Sequence, residues 1–322
     1  MPSIRSLHSP RFAIRVSPIC ARNHDTRHLL SDSGWTERET NSDRFDRMIA
    51  RSLLGLAVLG VTLGATPLLA QLAPPNAEGV AMGHIHLAVR DVDAQKAFWV
   101  GIMGGAVVKN GPLEMIQFPG VFILLRKAED PAPPAGSIVN HFGFVVKDMP
   151  AALAKWKANN LKIEPTENPN EAYVVAPDGI RIEVYGIPDL SVPIQMNHIH
   201  YNASDIPGIQ AWYAKTFGAK PGQRPCVACV SRPSMIEIGE LPGVNLSFSR
   251  GAAGLAPTKG RAIDHIGFEV KNLEEFEKKL ESQGIKFDSP VRQLPNSTIK
   301  IAFLTDPWGT YIELTEGLAP KQ

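Results

Sequence analysis

Cysteine is scarce: the 322 residues hold three. That number cannot supply a disulfide framework or a four-thiolate zinc site. Cys20 lies in an atypical N-terminal stretch, which leaves Cys226 and Cys229 as an isolated C-x-x-C pair. Such a pair can be a redox dithiol, half of a zinc site or a short disulfide. No second pair completes a zinc site, so in an exported chain a simple disulfide is the preferred reading. Net charge is also lacking, with 33 basic against 32 acidic side chains, and nothing points to nucleic acid or another charged polymer as partner. Long apolar runs are few. The clearest, residues 53–65, follows Met48 and Arg51 and leads into Thr66, Pro67, Leu68, Leu69 and Ala70. A basic start, an apolar run and a small residue at the cut make a bacterial secretory signal, and an uncleaved membrane anchor is the alternative. Residues 1–47 are polar, arginine-rich and aperiodic. They carry Asp25, Asp32, Glu37, Glu39, Asp43 and Asp46, too many acids for an organellar transit peptide. The expectation is a non-native or disordered extension over 1–47 and a signal peptide over 48–70. The mature protein is then periplasmic or secreted, with no stable membrane partner after cleavage.

What the chain has is one phrase written four times. It reads Gly83-His84-Ile85-His86-Leu87, then Asn140-His141-Phe142-Gly143-Phe144, then Asn197-His198-Ile199-His200-Tyr201, then Asp264-His265-Ile266-Gly267-Phe268. Seven residues after the first histidine of each copy stands Asp91, Asp148, Asp205 or Asn272. Each is a plausible N-cap for the helical stretch that follows. Of nine histidines, His8, His24 and His28 fall in the extension, and the other six all lie in these four phrases. Internal repetition of this kind sets the architecture before any residue is assigned a job.

Around each phrase the signals recur in one order. Helices are expected over 94–103, 151–159, 208–217 and 273–283, ending near Gly104, Asn160, Gly218 and Gly284. Short β-rich runs follow, among them 115–118, 121–125, 172–175, 180–185, 299–304 and 311–314. The later modules turn at Pro177-Asp178-Gly179 and Asp306-Pro307-Trp308-Gly309. The unit is βαβββ and the class α+β. The linkers 130–134, 187–193 and 251–260 suggest that successive modules pair, giving one domain over 82–187 and another over 195–317. Cys226 and Cys229 fall in residues that the second half has and the first lacks, so they belong to an inserted loop.

The repeat resembles the vicinal oxygen chelate superfamily of glyoxalases, bleomycin resistance proteins and extradiol dioxygenases. So do the helix endings (97–104 and 211–218) and the Asp-Pro-x-Gly…Ile-Glu hairpin. The likeness runs over roughly 82–317. It implies a metal held by the residue opening a module's first strand and by a Glu on its last strand. Modules two and four carry that Glu, at Glu183 and Glu313, whereas module one ends in Ile123-Leu124-Leu125 and module three in Asn245-Leu246-Ser247. With each half of the chain taken as a domain, the expected sets are His84, His141 and Glu183, and His198, His265 and Glu313. Two imidazoles and a carboxylate suit Fe(II), which is favoured, and also take Mn, Zn, Ni or Co. Three protein ligands leave room for a substrate that chelates through two adjacent oxygens. His86 and His200, two residues further on the same strand face, are candidates to line the cavity or move protons, and Tyr173 is a candidate beside the metal.

The resemblance does not fix the reaction. An extradiol-dioxygenase-like metalloenzyme acting on a small molecule is favoured, although the usual upstream His has no counterpart near Thr166 or Asn296. The alternatives are a redox-neutral lyase or isomerase of glyoxalase type, and a small-molecule-binding resistance protein, the last disfavoured by the intact ligand sets. No organic cofactor is expected. Homo-oligomerisation stays open, since four modules in one chain can build complete sites without a second copy.

Overall fold

A computed structural model describes residues 72–320; the expected extension and signal segment, and with them Cys20, lie outside the described residues. Each histidine phrase is a strand because β-branched and aromatic residues alternate there at period two. The strands are β1 (Val80–Val89), β5 (Val139–Val146), β9 (Ile194–Ala203) and β13 (Ile263–Val270). Each leads into a helix. Asp91, Asp148 and Asp205 accept hydrogen bonds from backbone N–H groups of the first turn, while Asn272 sits at the cap position without such a bond. Gly104, Asn160, Gly218 and Gly284 follow the helices with positive φ, the left-handed exit that ends a helix.

Helix α1 (Val92–Lys96) departs from the single helix expected over 94–103. It continues as a π-helical turn over Ala97–Ile102, in which the Met103 amide reaches back five residues to the Phe98 carbonyl. The wider turn lets Phe98 and Trp99 both face the interior, exposed by 2% and 0%. Helices α2 (Met149–Ala158), α3 (Ile206–Phe217) and α4 (Leu273–Ser282) are regular.

Three strands close each module. They are β2 (Ala106–Asn110), β3 (Leu113–Phe118) and β4 (Val121–Lys127) in the first, and β6 (Lys162–Pro165), β7 (Glu171–Val175) and β8 (Arg181–Gly186) in the second. The third has β10 (Lys220–Pro225), β11 (Met235–Leu241) and β12 (Val244–Arg250), and the fourth β14 (Phe287–Gln293), β15 (Lys300–Thr305) and β16 (Tyr311–Glu316).

The modules do not assemble into sheets in sequence order. One eight-stranded sheet runs β14-β15-β16-β13-β1-β4-β3-β2, joining module one to module four. The other runs β10-β11-β12-β9-β5-β8-β7-β6, joining two to three. The chain changes sheet at its two longer linkers, which lie side by side. Ala132 and Ala262 share a backbone hydrogen bond, as do Ile138 and Ala256. Module two needs only a short connection to set β9 antiparallel beside β5, so this pair closes locally and module four returns to module one.

The main core lies between the sheets, where side chains of modules one and two meet, as do those of modules three and four. Trp99 stacks on Phe142 at 5.8 Å and Phe118 meets Phe144 at 5.0 Å. Two buried polar side chains brace this packing. Gln95 on α1 accepts from the Trp99 indole N–H (2.9 Å) and donates to the Pro177 carbonyl (2.9 Å). Tyr213 on α3 donates to Asp306 (2.9 Å). Along β1, Ile85 and Leu87 point into the core, so His84 and His86 point to the other face. On that face the first sheet carries a second apolar cluster built from Met115, Phe122, Leu124, Ile299, Ile301 and Leu318. Cys226 and Cys229 form a disulfide in the loop between β10 and β11. Asn168 donates to the Val227 carbonyl (3.0 Å) and the Ser231 amide to Glu167 (2.8 Å), which ties this loop to module two.

Candidate metal centres

Strand register builds the two centres. β1 and β13 run antiparallel with His84 opposite Gly267 and His86 opposite His265; β5 and β9 match them with Gly143 opposite His198 and His141 opposite His200. The glycines are required. A Cβ on Gly267 would stand 2.0 Å from the His84 ring, and one on Gly143 would stand 2.2 Å from the His198 ring. Each imidazole therefore lies flat over the bare backbone of its neighbour. A register irregularity flanks the histidines of every one of these strand pairs, and bulges of this kind re-aim side chains.

In the first sheet, Oε2 of Glu313 on β16 lies 2.9 Å from His84 Nε2 and 2.8 Å from His265 Nε2. In the second, Oε2 of Glu183 on β8 lies 2.8 Å from His141 Nε2 and 3.4 Å from His198 Nε2, and accepts from the Tyr173 hydroxyl at 3.1 Å. His86 joins the first group and His200 the second. In each, one ligating atom per residue lies within 4.8 Å of all the others.

Protonation suits a cation. Burial raises the Glu313 carboxyl, but His265 and then His84 outweigh it and hold the group well below the usual carboxylate range. Burial likewise raises Glu183, and His198 and His141 more than reverse this. Burial lowers His84, takes His141 down to about 4 and His86 to about 3, and lowers His200. His265 alone moves up: burial opposes it, but Asp264 and Glu313 prevail. Ionised Glu183 and Glu313 facing neutral His84, His86, His141 and His200 are the forms that bind divalent metals, while a cation must displace any proton that His265 holds. Several buried ring nitrogens, including both of His86, have no hydrogen-bond partner, a costly state in a protein interior. The donor set and these free nitrogens fit a divalent ion in either centre.

Residues 81–184 and 195–314 each match the family model of the Glyoxalase/Bleomycin resistance protein/Dioxygenase superfamily. The chain belongs to that superfamily. Solved structures agree on the fold. Glyoxalase I from Zea mays is similar with a TM-score of 0.60 at 17% identity, covering 74% of this chain and 92% of that one. A putative dioxygenase from Bacillus subtilis is similar with a TM-score of 0.55 at 15% identity, covering 78% and 87%. No curated protein matches the chain.

Against this superfamily fold, the expected ligand sets are corrected. His84 meets His265 and Glu313, not His141 and Glu183, and His198 meets His141 and Glu183, not His265 and Glu313. The cause is the pairing of β1 with β13 and of β5 with β9. All six expected ligand residues do sit in the two clusters. Tyr173 belongs with His198 and His141 and is remote from His84; its register equivalent in the first centre is Phe303, opposite Glu313 as Tyr173 is opposite Glu183.

Several residues at the centres escaped the sequence reading. Asn140, Asn197 and Asp264 each hold Nδ1 of the histidine that follows, at 2.9, 2.9 and 2.7 Å. That contact turns Nε2 toward the centre and fixes the tautomer. Their signal was the repeat itself, since three of the four phrases open on Asn or Asp. Arg126 donates to Asp264 at 3.3 Å.

The walls differ. The first centre opens into a cavity of about 540 Å³ whose apolar side includes Leu113, Leu124, Ile299, Ile301 and Phe303, with Arg126 and Lys259 also on its lining. At the second centre, strand register puts Glu171 where the first has Ile301, Tyr185 where it has Thr315 and Ser247 where it has Leu124. Arg224 donates to Ser247 at 3.1 Å. Glu171 is 2% exposed with both oxygens unpartnered, and burial, then the charge of Glu183, pushes its carboxyl up to about 8.

Proposed function

We propose that this protein is a metal-dependent enzyme whose substrate is a small molecule presenting two adjacent oxygens, bound at the His84, His265 and Glu313 centre. The observation that carries the reading is the convergence of imidazoles and an ionised carboxylate at an apolar cavity of about 540 Å³, a size and character typical of small-molecule sites. A divalent ion held there would supply Lewis-acid polarisation of the adjacent oxygens and, were it iron, access to oxygen chemistry.

The chain's own residues do the rest. Asp264, itself held by Arg126 and by the Gly260 amide at 2.8 Å, orients His265. Gly267 gives His84 its place. Leu124, Ile301 and Phe303 exclude water and favour an apolar substrate body, and a low-polarity wall strengthens every charge contact inside it. Lys259, over the Tyr311 ring at 4.2 Å, puts a positive charge on the lining beside Arg126, suited to an anionic group on the substrate.

Redox-neutral lyase or isomerase chemistry is the reaction this geometry supports best. The third imidazole of each cluster, His86 or His200, adds a fourth donor and crowds the set beyond the three ligands that an oxygen-using centre keeps. The dioxygenase reading retains one specific support, Tyr173 donating to Glu183 at the second centre. Elemental analysis combined with an oxygen electrode separates them. Turnover with zinc, nickel, cobalt or manganese and no oxygen consumption is expected. Bound iron with oxygen uptake during turnover would establish the second reading, and a protein that retains no metal would overturn both.

A further inference from the structure

Two strand pairs contribute to each centre, and their contributions are complementary. In module four, Gly267 on β13 lies beside Glu313 on β16; in module two, Gly143 on β5 lies beside Glu183 on β8. At the same level in module one, His86 on β1 lies beside Leu124 on β4, and in module three His200 on β9 lies beside Ser247 on β12. Each strand pair thus places one long ligating side chain at this level. Where the last strand carries the carboxylate, the first strand carries glycine. Where the last strand carries Leu or Ser, the first strand carries a second histidine.

We infer that His86 and His200 are metal ligands, which occupy the coordination positions that a carboxylate at Leu124 or Ser247 would otherwise fill, so that each centre has three imidazoles and one carboxylate. The inference rests on the metal reading proposed above and adds a coordination number to it. Three further observations agree. Both ring nitrogens of His86 are buried and without a partner. His86 lies with its ring centroid 4.5 Å from that of His265, and His200 lies 4.5 Å from His141, so the two halves repeat the arrangement. At the second centre Ser249 holds Nε2 of His200 at 2.8 Å and leaves Nδ1 unpartnered, the way an outer residue fixes a ligating imidazole. Four protein ligands on a six-coordinate ion leave two positions, enough for a pair of adjacent substrate oxygens.

The decisive experiment moves the ligand back to the last strand. Copper(II) is loaded into the full protein, coordinated imidazoles are counted by pulsed electron paramagnetic resonance, and affinity is measured by competition with a chromophoric chelator. The wild type is expected to show three imidazoles per ion. His86→Gly should weaken binding at the first centre at least 10-fold, the scale on which even outer-shell changes act, and drop the count there to two. Adding Leu124→Glu to His86→Gly rebuilds the module-four pattern and should recover the lost affinity while the count stays at two. That recovery also distinguishes ligand loss from misfolding. Wild-type protein with two imidazoles per ion, or His86→Gly binding with wild-type affinity, would overturn the inference and leave the metal reading intact. Wild-type protein that binds no copper would overturn the metal reading beneath it.

Discussion

Replacing Gly267 by alanine should disable the first centre from a residue that is not itself a ligand. The added Cβ would stand 2.0 Å from Cε1, 2.1 Å from Nδ1 and 2.5 Å from Nε2 of His84. Ordinary carbon contacts begin at about 3.5 Å, so the overlap amounts to about 1.5 Å against a ring that is 0% exposed. The backbone of β13 is paired on both sides, with β1 and with β16, and cannot retreat. The imidazole must therefore leave its place over the glycine. Overpacking of this kind costs about 1–3 kcal/mol, and displacing a ligand should cost at least the roughly 10–100-fold in affinity lost when a residue that merely orients a ligand is replaced. Competition against a chromophoric chelator would read this as one tight metal equivalent lost and one retained. Gly143→Ala, whose Cβ meets His198 at 2.2 Å, should remove the other equivalent. A Gly267→Ala protein that keeps both equivalents at wild-type affinity would refute the close-approach argument.

Two further outcomes concern the frame around the centres. Gln95→Leu leaves the Trp99 indole N–H and the Pro177 carbonyl without their partner, at about 1–3 kcal/mol per buried group; thermal unfolding should show Tm lowered by several degrees, and an unchanged Tm would show that the packing of α1 on module two does not need this bridge. Glu269 accepts from Thr315 and from the Gly317 and Leu318 amides, yet burial outweighs these and pushes its carboxyl up to about 7. The folded state thus holds a proton that the unfolded state releases near the ordinary Glu value, so Glu269 makes stability fall as pH rises between about 4.5 and 7, by up to about 3 kcal/mol. Chemical denaturation across that window should lose this slope in Glu269→Gln, and an equal slope in both proteins would place the proton elsewhere.

The legible parts of this protein were the local ones. Strands, helix caps at Asp91, Asp148 and Asp205, and the left-handed exits at Gly104, Asn160, Gly218 and Gly284 follow from residues a few positions apart. The ligand types were legible for the same reason, because His84, His141, His198 and His265 each open a strand and Glu183 and Glu313 follow one turn signal. Which module pairs with which was not. Any pairing of a module that ends in Leu or Ser with one that ends in Glu yields two first-strand histidines and one carboxylate, so His84 with Glu183 and His84 with Glu313 are equal on inventory. The difference lies in contacts between strands more than 170 residues apart in the chain, β1 with β13. The π-helical turn at Phe98 and Trp99 answers to packing against module two and has no local signature. Glu171 and Arg224 become notable only once register sets them against Ile301 and the apolar wall of the first centre. Asn140, Asn197 and Asp264 stood in plain view in the repeat, one position ahead of the histidines they orient.

The two centres are defined by which histidines share a metal. Metal content per chain, measured by elemental analysis after removal of loosely bound ions, tests this with two double variants. His84→Ala/His265→Ala removes two ligands from one centre and should retain one equivalent, whereas His84→Ala/His141→Ala cripples both centres and should retain none. The reverse outcome, with the His84/His141 variant keeping one equivalent and the His84/His265 variant none, would contradict the pairing of β1 with β13.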